Sequence, residues 1–110
     1  MSEITYDQFS ALDIRIGKIL TVEIVPDADK LLKLTVDVGE EKPRQIISGI
    51  RPYFADPQEL VGRLCPFIVN LAPRVIRGLE SQGMILAAST EDSFALLHPH
   101  TELNPGAKVK

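Results

Sequence analysis

Asn70, Arg74, Arg77, Ser81 and Gln82 fall in one stretch, Asn70-Leu-Ala-Pro-Arg-Val-Ile-Arg-Gly-Leu-Glu-Ser-Gln-Gly-Met84. These side chains are donors suited to phosphate, sugar hydroxyls and base edges. No nucleophile in the stretch has a base beside it, so the chemistry on offer is holding rather than breaking. Two apolar runs flank it, Leu64-Cys-Pro-Phe-Ile-Val69 and Ile85-Leu-Ala-Ala88, which predict strands. Pro73, Gly78 and Gly83 predict an irregular loop between them, with no regular helix or ladder. On local pattern alone, a solvated connection explains the stretch as well as a binding loop does.

Charge favours the binding loop. The chain has 110 residues and a net charge of -3, which argues against coating nucleic acid by bulk positive charge. The charge is uneven, however. Residues 1–41 hold four Lys/Arg against nine Asp/Glu, residues 42–77 six against two, and residues 78–110 two against four. The basic third ends in the loop, where it can attract a polyanion locally.

The elements that must position this loop are legible as strands. Thr5-Tyr-Asp-Gln8 has capping-box spacing and predicts a short helix with Phe9 and Leu12 turned inward. Apolar residues at every second position from Leu12 to Ile24 predict one long strand, bulged or bent at Gly17 and Lys18. Leu32, Leu34, Val36 and Val38 predict a second strand, and Arg44–Ile50 a third. Asp56-Pro-Gln-Glu59 predicts a short helix stopping at Gly62. Three strands, a short helix and two more strands is the order of the OB-fold, a five-stranded barrel that binds ligands across strands 2 and 3 and between the 1–2 and 4–5 loops. The expectation is an all-β, single-domain chain, with a barrel over residues 1–89 and an extension over 90–110. In the extension, Phe94-Ala-Leu-Leu97 reads as a further strand needing cover, from the barrel or from a second copy.

Other classes find little support. A 45% hydrophobic content suits a folded core, and the one cysteine, Cys65, reads as a small buried side chain. His98 and His100 lack a third ligand signal, so no metal is expected, and no cofactor motif occurs. The N-terminal residues have neither a basic start nor an apolar stretch. The expectation is a cytoplasmic chain without a membrane anchor.

Ala28-Asp-Lys-Leu-Leu-Lys-Leu34, Val36-Asp-Val-Gly39, Ser48-Gly-Ile50, Asn70-Leu-Ala-Pro-Arg74 and Ser81-Gln-Gly-Met-Ile85 together resemble the tRNA-binding domain family. That family includes the C-terminal appendix of bacterial methionyl-tRNA synthetase and a related stand-alone tRNA-binding protein. The resemblance implies an OB-fold that binds tRNA by shape, without catalysis, and a homodimer formed through the extension. It places Asn70, Ser81, Gln82 and Met84 in the groove, Arg74 and Arg77 on the basic loop, and Lys30 and Ser48 facing it. Arg44, from the basic third, is counted with them. Phe94, Leu96 and Leu97 fall at the dimer interface. Ala72 and Val75 depart from the family, many of whose members carry Lys there. Structural explanations stand beside these assignments: Asn70 as a turn cap, Ser48 as filler beside Gly49, Met84 as core. An export-related chaperone family shares the fold and dimer, and a purely structural dimerisation domain is the third possibility.

Overall fold

The computed structural model describes residues 2–110. A five-stranded antiparallel sheet dominates it, built from β1 (Ile14–Ile24), β2 (Leu32–Asp37), β3 (Arg44–Ser48), β4 (Leu64–Ile68) and β7 (Met84–Ile85), in the order β3-β2-β1-β4-β7. Between β4 and β7 lie β5 (Arg74–Ile76) and β6 (Leu79–Ser81), and β8 (Ala87–Ser89) pairs with β9 (Phe94–Leu96). The end of the β5–β6 hairpin fastens to β3, the far edge of the main sheet: the Gln82 amide donates to the Gln45 carbonyl at 2.8 Å and the Ile47 amide donates to Ser81 Oγ at 3.0 Å. The result is a nearly closed, OB-like barrel. No helix among the described residues is long and apolar enough to cross a membrane.

Strand β2 follows its period: Leu32, Leu34 and Val36 are fully buried, while Lys33, Thr35 and Asp37 alternate outward. They meet Ile19, Ile46, Leu60, Cys65 and Phe67 in the core. Burial pushes the Cys65 thiol up to about 11, so it stays protonated and inert. At Gly17 the interior has no space for a side chain, because a Cβ there would lie 2.7 Å from Val36 and 2.8 Å from Phe67.

Strand β1 departs from the expected single apolar face. Its register against β2 shifts between Ile19 and Thr21, so the bulge falls at Leu20 and not at Gly17 and Lys18. The extra residue moves the inward set from Gly17 and Ile19 to Val22, leaving Leu20 exposed; Ile24, on the face of Val22, is exposed as well. Ile14 and Ile16 are buried outside the main cluster.

The capping box forms, with the Gln8 amide donating to Thr5 Oγ1 at 3.1 Å and the Thr5 amide to Gln8 Oε1 at 2.8 Å. It starts a five-residue helix, α1 (Tyr6–Ser10), that buries none of its residues. Phe9 and Leu12 are therefore not turned inward: the single turn lies outside the closed sheet. Asp56 caps the other short helix as expected, but Pro57–Leu60 is a 3-10 turn, preceded by another at Arg51–Tyr53.

The loop between β4 and β7 is more regular than Pro73, Gly78 and Gly83 suggested. Pro73 precedes β5 and Gly83 follows β6, so neither interrupts the ladder, which pairs Arg74 with Ser81, Val75 with Glu80 and Ile76 with Leu79. Arg77 and Gly78, at φ of 52° and 79°, make the two-residue turn whose twist suits a hairpin.

The predicted fifth strand breaks at Leu86: Met84–Ile85 pairs with β4, and Ala87–Ser89 turns away to β9. Phe94 stacks on Tyr53 at 3.9 Å between centroids and meets Phe54 edge-on. Phe94 and Leu96 are half-buried against the core, whereas Leu97 is exposed. The tail then returns along the edge of β1 not taken by β4. Gly106 N donates to Ile16 O at 2.7 Å, and Ile16 N to Ala107 O and Val109 N to Ile14 O, each at 2.8 Å. Lys108 Nζ lies 3.4 Å from an Asp13 carboxylate oxygen.

Candidate nucleic-acid interface

The connection from β1 to β2 and the tip of the β5–β6 hairpin form the two walls of one cleft. Asp27, Ala28, Asp29, Lys30 and Leu31 line one side, Ile76 and Arg77 the other. Asp27 and Arg77, at φ of 59° and 52°, are the two non-glycine residues in left-handed conformation among those described, and both sit on this rim. Such backbone costs roughly 1–3 kcal/mol and concentrates where a side chain has to be presented. Lys30, Arg74 and Arg77 are exposed, and none enters an ion pair among the described residues. Free ammonium and guanidinium groups hold phosphate oxygens without reacting with them.

The polar residues at the root of the hairpin are engaged with the protein itself. Asn70 accepts from the Asp13 amide at 2.8 Å and donates to the Ala11 carbonyl at 2.7 Å, fastening the segment before β1 to the end of β4. Ser81 is buried; besides accepting from Ile47, it donates to the Gly83 carbonyl at 3.0 Å. Gln82 Oε1 accepts from the Gln45 amide at 2.9 Å. Arg44 pairs in two places with Glu40, at 2.7 and 2.8 Å, and donates to the carbonyls of Val69 and Gln82. The hydrogen bond from Arg44 holds the Glu40 carboxyl below its ordinary range, and the same bond raises the guanidinium. Asp13 is likewise held low, first by its hydrogen bond from Arg15 and less by Lys108. Both clusters are therefore charged at neutral pH.

Ser48 sits half-buried opposite Leu32 at the end of β3, and Met84 is 40% exposed opposite Ile68, so it is not core. The sequence reading passed over Lys33, Thr35 and Gln45, which face outward across β2 and β3. Alternation in β2 could have found the first two. Gln45, whose side chain donates to the Glu80 carbonyl at 2.9 Å, is fixed by contact with the hairpin.

Because Ser81 and Arg44 satisfy backbone groups from separate segments of the chain, Ser81→Ala and Arg44→Ala are expected to destabilise the fold by about 1–3 kcal/mol each. Urea melts monitored by circular dichroism measure this, and unchanged midpoints would remove their structural role.

An OB-like barrel with unpaired cations on two neighbouring loops has the chemistry to hold a polyanion. The chain belongs to the family described as "Putative tRNA binding domain", which matches it over residues 14–108. It is 50% identical over 106 residues to the methionine–tRNA ligase of Thermotoga maritima, covering 96% of this chain but 16% of that enzyme. In structure it is similar to a methionyl-tRNA-synthetase-related protein of Pyrococcus horikoshii, with a TM-score of 0.92 and 36% identity over the whole of both chains. It is also similar to the chaperone CsaA of Bacillus anthracis, with a TM-score of 0.87 and 28% identity over 99% of this chain and all of that one.

Proposed function

We propose that this chain is a non-catalytic, single-domain module that binds folded tRNA by its shape, in the cytoplasm, as part of or accessory to methionyl-tRNA synthetase. The observation that carries the reading is the pair of free cations, Lys30 and Arg77, facing one cleft in a chain of this family. Lys30, Arg74 and Arg77 contact phosphates directly. Asn70, Ser81, Gln82 and Arg44 hold the hairpin in place, with Ser48 and Met84 at its margins. Aromatic stacking is a minor contribution, since Tyr53 already stacks on Phe94. RNA readers that recognise single strands splay bases onto open aromatic faces, and shape readers contact backbone and 2′-hydroxyls.

The expected log K against log salt slope is about -2 to -4, from a few phosphate contacts at roughly 0.7–0.9 each. Titrating an unfractionated tRNA pool beside unstructured RNA of equal length tests the reading. Equal binding of the two, or a slope near zero, would overturn it.

A second copy completes the proposal. Phe94 and Leu96 already lean on the barrel, so the exposed Leu97 and Leu103 are the apolar residues of the extension that a partner would cover. A dimer would present two hairpins to one tRNA, making the second contact intramolecular. Whole-chain likeness to CsaA favours one other reading, a chaperone-like dimer. Aggregation suppression that survives loss of Lys30 and Arg77 would select it.

A further inference from the structure

We infer that the open end of the barrel carries a second RNA subsite, taking one unstacked nucleotide, on the far side of Lys30 from the hairpin. The inference rests on the reading of the Lys30–Arg77 cleft as an RNA site. Ile24 pairs with the fully buried Leu32 and so shares the inward face of β1 with Val22, yet it is 51% exposed. With Pro52, Phe54 and Pro57 it lines an apolar cleft of about 520 Å³, within the roughly 300–1,000 Å³ typical of small-ligand sites.

Lys30 and Arg51 also line this cleft, and Arg51 enters no ion pair among the described residues. The Arg51 amide donates to the Lys30 carbonyl at 3.3 Å, tying the turn after β3 to the β1–β2 connection. Asp29 and Lys30 line both this cleft and the hairpin cleft. Arg77, Lys30 and Arg51 thus follow one another across a shared ridge, three cations open to a phosphate backbone with Asp27 and Asp29 among them. Beyond Lys30 the ridge meets apolar walls rather than polar surface. A base has a π-face that such walls and the Arg51 guanidinium accept whatever its identity. The Asp29 carboxylate can accept from a ribose hydroxyl or an exocyclic amine. The ligand chemistry is therefore a single-stranded end attached to a folded RNA, its last structured phosphates on Arg77 and Lys30 and its first free base under Arg51.

The test compares a blunt RNA hairpin with the same hairpin carrying a four-nucleotide single-stranded extension, by fluorescence anisotropy with the full chain. The extension is expected to tighten binding about tenfold. Ala55→Trp, which fills the cleft from an exposed lining position, is expected to abolish that gain while leaving blunt-hairpin affinity unchanged. Arg51→Gln should lower the salt slope by about 0.7 for the extended RNA alone. An extension that adds nothing, or a gain that survives both variants, overturns the subsite while the hairpin cleft stands. Failure to bind tRNA itself, whose shape the hairpin cleft is read to hold, overturns the hairpin-cleft reading.

Discussion

Removing residues 104–110 is expected to destabilise the protein by about 3 kcal/mol, although none of these residues belongs to the main barrel cluster. The segment supplies three backbone hydrogen bonds to Ile14 and Ile16 and the Lys108 contact with Asp13. Each is worth about 0.5–1.5 kcal/mol net. It also covers a strand edge, and an uncovered edge is a template for pairing with another chain. The truncated protein should show a lower urea midpoint and concentration-dependent association, both measurable by denaturation and light scattering. A truncation as stable as the full chain would mean that the returning tail only decorates the barrel.

The Lys30→Ala/Arg77→Ala double variant is expected to lose about 30–100-fold in tRNA affinity at moderate salt, and about 1.5 units of salt slope. Both side chains are exposed and unpaired, so the folded state should not notice their removal. Arg77→Gly sharpens the test. At φ of 52° glycine is the more comfortable residue, so this variant should be slightly more stable than wild type while binding less well. Asn70→Ala should behave in the opposite way, lowering stability through the lost Asp13 and Ala11 bonds. Filter binding beside thermal melts distinguishes these cases, and wild-type affinity in the double variant would dismantle the cleft.

Period and punctuation revealed what is local. Alternation marked β2, Thr5 and Gln8 marked a helix start, and Asp56-Pro57 marked the start of a short helix whose cap forms on a 3-10 turn. The bulge at Leu20 was not legible, because Gly17 advertised a break by its type whereas the register shift follows from how β1 is shared between β2 and β4. The β5–β6 hairpin was missed for a related reason: Pro73 and Gly78 were read as breakers, but their positions are the margin and the turn. At the site, type alone could mark Arg44, Ser81 and Gln82 as donors. Their engagement with Val69, Ile47 and Gln45 depends on partners at least 25 residues away along the chain.

The Arg77-Gly78 turn bears on the timing of RNA capture. A two-residue turn on a paired ladder leaves the guanidinium's backbone already in its working conformation, so no loop has to be frozen when RNA arrives. Encounter should then proceed at a rate set by charge steering, so variants that remove a rim cation should slow association and weaken its salt dependence.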